Sequence, residues 1–216
     1  MTQLSGDERP DDRTAAPARL SGADRRRQLI GIGLRMLTKR PIHELVLDEV
    51  AAEAGISRGL LFHYFPTKSD YYAAVVRAAA RRLVRATEPR ADAPPGEQLV
   101  EVLDTFVAFL ERRRDLYLAL FRGASGGADY LVEIYDRTRD VFTERTITGL
   151  GPVEVTPELT LVVRGWFSFV EDVALTWAQD RPFPREDLLR LLADALPALL
   201  ITAGHPEAAR AATRPA

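Results

Sequence analysis

The chain has 216 residues, 46% of them hydrophobic and 28% charged, with a formal net charge of −2 at pH 7, a composition typical of a globular protein in water. It contains no cysteine, which excludes disulfides, thiolate metal sites and thiol redox sensing, and its three histidines, His43, His63 and His205, are too scattered for a metal site. No apolar run approaches the roughly 18 residues that span a bilayer, and the polar, Arg- and Asp-rich start is unlike a secretory signal; the expectation is a cytoplasmic protein without cofactor or membrane partner. Charge is unevenly distributed. Residues 24–68 hold eight basic and five acidic side chains, whereas residues 69–216 hold 18 and 22, so the positive excess sits near the N-terminus.

Residues 1–22 are polar, carry Pro10 and Pro17 without periodicity, and are expected to form a disordered tail. Ser21 and Asp24 then have the spacing of a capping box. The helix they start places Leu29, Ile32, Gly33, Met36 and Leu37 on one face and ends before Pro41. Arg25, Arg26 and Arg27 lie in its first turn, where the helix dipole disfavours cations. Either an anionic partner such as phosphate relieves them, or water does.

Residues 47–68, LDEVAAEAGISRGLLFHYFPTK, read as two short helices. Leu47, Val50, Ala51 and Ala54 have the i, i+3, i+4, i+7 spacing of one buried face. Gly55 follows, a residue that takes positive φ at no steric cost and so ends a helix. Ile56 is a buried pin in the turn and Ser57 a natural N-cap. Leu61 and Phe65 share the inner face of the second helix, which Pro66 stops. At about 100° per residue, Gly59 and His63 fall on the opposite face, with Leu60 and Phe62 at its flanks. Two helices joined by a short Gly-containing turn, the second exposed, form a helix-turn-helix.

Thr67 to Asp70 caps the next helix, 68–87, which carries Tyr72, Val75, Val76, Ala79 and Leu83 on one stripe. Residues 88–96, EPRADAPPG, are the best boundary candidate. Helices alone are expected beyond it. One carries Leu99, Val102, Leu103, Phe106 and Leu110; a short one is capped by Asp115 and holds Leu116, Tyr117, Leu120 and Phe121. The GASGG run at 123–127 breaks the chain, with no preceding strand to make it a phosphate loop. Leu131, Ile134, Tyr135, Thr138, Val141 and Phe142 form a further amphipathic stripe. Thr156-Pro157-Glu158 is a strong helix start. Residues 159–177 and 188–201 are apolar nearly all round, so each must bury two faces. A second copy of the chain would cover the outer face; the alternative is a helix internal to a large bundle. Pro197 is expected to kink or end the last helix, and residues 204–216 to be a frayed tail.

The run Ala51 to Ser57, the helix Arg58 to Tyr64 and the close Phe65-Pro66-Thr67-Lys68 resemble the signature of the TetR family of bacterial transcriptional regulators. The resemblance implies an all-α fold: an N-terminal three-helix helix-turn-helix DNA-binding domain at 23–72, and a C-terminal effector-binding and dimerisation bundle at 73–203. It also implies that Ser57, Arg58, Gly59 and His63 face the major groove while Tyr64 and Lys68 hold phosphates. This sequence departs from the family pattern at Leu60 (often Thr), at Phe62 (often a phosphate-binding Tyr) and at Val46 (usually a Ser/Thr cap), so fewer phosphate contacts are expected. Leu60 either touches a thymine methyl or packs inward. The tail at 1–22 is a possible groove-tracking arm, against which its near-zero charge argues.

The expected function is a homodimeric repressor, paired through 159–177 and 188–201, reading a palindromic operator in double-stranded DNA and released by a small, largely apolar effector. Candidate chamber residues are Phe106, Phe109, Tyr117, Phe121, Tyr135, Arg139, Phe142, Trp166, Phe169 and Glu171, with Trp177 beside them; aromatics at helical spacing equally suit plain core. Glu171 and Asp172 interrupt an apolar helix, and a buried carboxylate needs a partner: Arg139, Arg164 or a ligand. Two other classes compete. An all-α enzyme lacks support, since there is no phosphate-cradling loop, His pair at ligand spacing or Ser-centred elbow. A helix-turn-helix scaffold for protein contacts alone would show no salt-sensitive retention on a DNA column.

Overall fold

The computed structural model describes residues 20–37, 44–90, 92–118 and 129–213. Among these, every regular element is a helix: α1 (Gly22–Met36), α2 (Leu47–Glu53), α3 (Arg58–Tyr64), α4 (Lys68–Ala86), α5 (Pro95–Tyr117), α6 (Asp129–Gly149), α7 (Pro157–Asp180), α8 (Arg185–Thr202) and α9 (Pro206–Ala212). The N-terminal tail to residue 19, Pro41, His43, Leu120, Phe121 and the glycine run at 123–127 lie outside the described residues.

The local start signals act as the sequence implies. Ser21 accepts from the Asp24 amide at 3.1 Å and opens α1. Thr67 accepts from the Asp70 amide, and the Asp70 carboxylate accepts from the Thr67 amide, each at 3.0 Å, a complete capping box on α4. Thr156 caps α7 through the Leu159 amide at 3.1 Å, with Pro157 beginning the helix. Val46, lacking a hydroxyl, precedes α2 without a side-chain cap.

The break expected shortly before Asp115 is present: α5 consists of two helical stretches joined at a kink, where Arg113 is non-helical at φ −144° and ψ 31°. Two expectations are corrected. Pro197 does not end α8, which runs to Thr202. The proline removes one backbone donor, but Leu196 and Leu200 on either side are fully buried and hold the helix in place. The expected tail also contains α9. Gly204 turns the chain at φ 82°, and Ala208, Ala209 and Ala212 are then buried against α8 and α5. Alanine burial is too weak a periodic signal to announce a seven-residue helix before its packing partners are known.

The packing explains the chain's organisation. α1 lies against α2 and α4, α2 against α3, and α4 continues onto α6. α7 packs with α5, α6 and α8. Buried side chains from Leu29 to Ala212 form one connected apolar core, so α4 serves both the N-terminal helices and the bundle. Tyr71 donates to the Leu29 carbonyl at 2.8 Å and Tyr72 donates to that of Leu45. Burial pushes the Tyr71 hydroxyl well above the ordinary tyrosine range, so it stays a donor. Gly33 permits the contact, because an added Cβ there would stand 2.6 Å from both Tyr71 Oη and Val75 Cγ2.

Candidate nucleic-acid interface and effector region

The turn between α2 and α3 is set by backbone bonds. Ile56 donates to Ala51 O at 3.0 Å and Gly55 to Ala52 O at 3.1 Å, the paired bonds of a Schellman ending. Gly55 has φ 65°, the left-handed value this ending requires. Ser57 then accepts from the Leu60 amide at 3.2 Å and starts α3.

Leu61 is the only fully buried residue within α3, and Phe65 follows it inward. Ser57, Arg58, Gly59, Leu60 and His63 are exposed, while Phe62 and Tyr64 are half-buried. Leu60, 40% exposed, therefore sits on the outer surface rather than packing inward. A Cβ on Gly59 would meet nothing nearer than Ser57 Oγ at 3.9 Å, so this face is open. His63 meets Tyr64 edge-on at 5.5 Å between ring centroids. Lys68 begins α4, with Nζ 5.1 Å from the Tyr72 ring centroid. Of the seven residues expected to contact DNA, Ser57, Arg58, Gly59, Leu60, His63 and Lys68 are thus exposed and Tyr64 is half-buried, all within α3, its cap and the start of α4.

Around this face the cations have specific neighbours. Arg25 reaches the Ala54 carbonyl at 3.3 Å, bracing the end of α2. Arg26 lies over the Phe65 ring at 4.9 Å, and Arg27 pairs with Asp24. The Ser21 hydroxyl and Arg27 hold the Asp24 carboxyl below its ordinary range. Arg58 Nη1 donates to both Asp48 oxygens, at 2.9 and 3.1 Å. Sequence reading missed Asp48, because ten residues separate the pair and an acid early in a helix reads as a dipole complement.

The chamber candidates separate into groups. Phe106 contacts Tyr117 and Phe142 at 5.9 and 6.3 Å, and Phe142 stacks on Phe167 at 4.8 Å. Phe109 meets Tyr117 at 6.4 Å. These rings pack mainly on one another. Trp166 is buried and donates to Leu192 O at 3.0 Å, joining α7 to α8; Trp177 donates to Phe183 O at 2.9 Å. Phe169 instead lies on the exposed side of α7. Tyr135 donates to the buried Glu171 carboxylate at 2.6 Å. Arg139 donates to Ser168 and stacks on Tyr135, while Arg164 pairs with Asp136 and Asp140. A phenol is thus one neighbour of the carboxylate, and Asp172 is exposed.

An apolar cleft opens where the end of α4 meets α5, α6, α8 and α9. Leu99, Val102, Phe142, Leu150 and Leu196 line it, with Gln98, Arg145 and Thr146 as polar groups. Its free volume is about 50 Å³. Of the nine chamber candidates among the described residues, Phe142 alone borders it. Arg145 also donates to Val84 O at 2.5 Å, tying the cleft wall to α4. Among the described residues, no group of His, Asp or Glu could hold a metal ion, and no helix is long and apolar enough to cross a membrane.

Residues 29–75 match the bacterial regulatory proteins of the tetR family, and residues 95–199 match a tetracyclin repressor-like C-terminal domain. A crystallised tetR-family transcriptional regulator from Streptomyces coelicolor is 30% identical, with a TM-score of 0.77 over 89% of this chain and 90% of that one. The chain belongs to the TetR family of transcriptional regulators. It is therefore a regulator and not an enzyme. A further relative is the HTH-type transcriptional activator FasR of Mycolicibacterium smegmatis, 27% identical over 59% of this chain. That match spans 57% of FasR. The regulator FadR of Bacillus subtilis, crystallised with stearoyl-CoA, shares the fold at 18% identity and a TM-score of 0.57 over 80% of this chain and 96% of its own. Both TetR segments are thus accounted for, with α4 running between them.

Proposed function

We propose that this TetR-family protein is a homodimeric, effector-released repressor that reads a palindromic operator through α3. The observation that carries the reading is the outer face of α3: Ser57, Arg58, Gly59, Leu60 and His63 are exposed together on a capped helix, with Tyr64 and Lys68 beside them. Arg58 is the base-reading residue, since its planar fork matches guanine O6 and N7. Tyr64 and Lys68 hold phosphates, which position the helix without carrying sequence information.

Pairing through α7 and α8 supports the two-fold reading. Leu161, Phe169, Leu191, Leu199 and Ile201 are exposed on these helices, and Gly165 has open space where a Cβ would stand, which permits close backbone approach. A dimer whose reading helices lie about 34–36 Å apart would engage successive major grooves. In this reading the DNA-binding unit is 23–72 and the effector-binding and dimerisation bundle is 73–203, with α4 shared between them.

The effector region is the cleft beside Phe142, backed by Phe106 and Tyr117. Its apolar walls and few polar groups suit a largely apolar ligand with one or two polar handles. Ligand sites usually occupy about 300–1,000 Å³, so the cleft must widen to accept one. Widening bears on α4 through Thr87 and the Arg145 bond to Val84. That helix of 19 residues, about 28 Å long, carries the displacement to Lys68, to Tyr71, which grips α1 at Leu29, and to Tyr72, which holds Leu45 just before α2. Only a differential affinity for the two arrangements can shift the population.

A competition gel shift with a duplex selected from a random library tests the reading. Arg58→Ala relaxes sequence preference, whereas Lys68→Ala weakens binding to all duplexes alike and flattens the salt dependence. Unchanged selectivity in Arg58→Ala refutes the base-reading assignment. Activation is the second reading, favoured by the name of the relative FasR; transcription from a promoter carrying the selected site separates the two.

A further inference from the structure

The recognition surface carries a carboxylate that a phosphate-binding face has reason to avoid. Asp48 is exposed in the first turn of α2, and both its oxygens accept from Arg58 Nη1, at 3.1 and 2.9 Å. The same guanidinium lies over the Phe62 ring, 5.5 Å from its centroid. Asp48 and Arg58 each stand within the first turn of a short helix, and the Schellman turn between those helices fixes their separation. Phe62 is one turn beyond Arg58 on α3. The side chain is therefore held from two sides by groups on one small unit.

We propose that Asp48 is a positioning residue for DNA reading: it fixes the Arg58 fork against Phe62 so that the opposite edge, Nε and Nη2, is presented to a guanine. The proposal rests on the assignment of Arg58 as base reader. Nη1 is taken by Asp48, and among the described residues Nε and Nη2 make no hydrogen bond, which leaves two donors in the parallel arrangement that O6 and N7 accept. A free arginine on this surface would swing among phosphates and add sequence-independent affinity. Held by Asp48, it brings no net charge, so the pair exchanges general affinity for selectivity. Phe62 suits this role because it offers a ring face and no hydroxyl to compete for Asp48 or for a phosphate. Water screens the exposed pair in the free protein, and its attraction strengthens as DNA excludes that water.

The test uses full-length protein, the duplex selected by the wild type and a scrambled duplex of equal length, with affinities measured by fluorescence anisotropy across a sodium chloride series. Asp48→Asn is expected to bind scrambled DNA more tightly, to steepen the salt dependence by about one unit of slope, and to lower the selected-to-scrambled ratio on the order of tenfold. Asp48→Glu keeps the charge and the helix-start effect but displaces the carboxylate, so the salt slope stays at the wild-type value while the ratio falls. In an Arg58→Ala background, Asp48→Asn leaves the ratio unchanged. Selectivity that is unaltered or raised in Asp48→Asn, while Arg58→Ala still lowers it, overturns the positioning role alone. Selectivity unaltered in Arg58→Ala overturns the base-reading assignment and this proposal with it. A helical circular-dichroism signal equal to the wild type confirms that each variant is folded.

Discussion

Replacing Gly33 by alanine isolates the contact on which the N-terminal unit depends. In an exposed helix interior this change stabilises by about 1 kcal/mol, because glycine loses more backbone entropy on folding. At Gly33 the new methyl carbon would stand 2.6 Å from Tyr71 Oη and 2.6 Å from Val75 Cγ2. Both neighbours are fully buried. Tyr71 is further restrained by its bond to Leu29 O at 2.8 Å and by edge-on contact with Phe65 at 5.0 Å. Forcing a methyl into such a site costs about 1–3 kcal/mol, and losing the tyrosine bond costs about 1 kcal/mol more. The net expectation is a destabilisation of about 1–3 kcal/mol, or about 2–4 °C in Tm per kcal/mol for a chain of this size. Gly31 supplies the control on the same helix, since a Cβ there would meet nothing nearer than Arg35 Nη1 at 3.8 Å. Gly31→Ala should therefore raise stability by about 0.5–1 kcal/mol. Urea unfolding followed by circular dichroism, at one fixed protein concentration because association contributes to apparent stability, measures both. Equal or raised stability in Gly33→Ala would refute the close approach of α1 and α4 described above.

Three further outcomes are expected. Leu161→Glu, at a position 68% exposed in the single chain, should shift sedimentation from dimer to monomer. A buried leucine is worth about 1.5–3 kcal/mol and appears twice in a two-fold interface; an unchanged dimer would exclude this face. Thr67→Ala removes the Asp70 capping bond and should cost about 1 kcal/mol, with Thr67→Ser restoring most of it in the same urea assay. Asp24 has a depressed folded pKa, through Ser21 first and Arg27 second. Its contribution is complete above the unfolded value of about 3.9 and is lost as pH falls through the lower folded value. Amide exchange in the first turn of α1 should rise over that acid range, and Asp24→Asn should flatten the dependence; identical profiles would show that the cap does not titrate there.

The helix-turn-helix was legible in the sequence because each of its signals is local. Ser57, Gly55 and Leu61 act within four residues of themselves, through a cap, a left-handed turn and one buried face. The same holds for the starts of α1, α4 and α7, where hydroxyl, carboxylate and proline occupy fixed offsets. The exposure of Gly59 and His63 followed from helical geometry alone, whereas that of Leu60 was left open until the structure showed it. The effector region was far less legible. Aromatic spacing identified Phe106, Phe142 and Trp166 as inward-facing, but inward-facing rings can stack on each other as readily as line a space.

Residue pattern by itself determined an all-helical chain, the reading helix and its outer face, and two helices apolar on both sides, because periodicity and end signals are properties of a single segment. Tertiary structure decided what depends on two segments meeting. It carried α8 through Pro197 by burying Leu196 and Leu200, and it folded residues 206–212 against α8 and α5. It gave Glu171 a tyrosine neighbour while directing Arg164 to Asp136 and Asp140. It also brought Asp48 onto Arg58 across the turn between α2 and α3. In each case the deciding energy lies between side chains distant in sequence, where spacing along one helix carries no information about the partner.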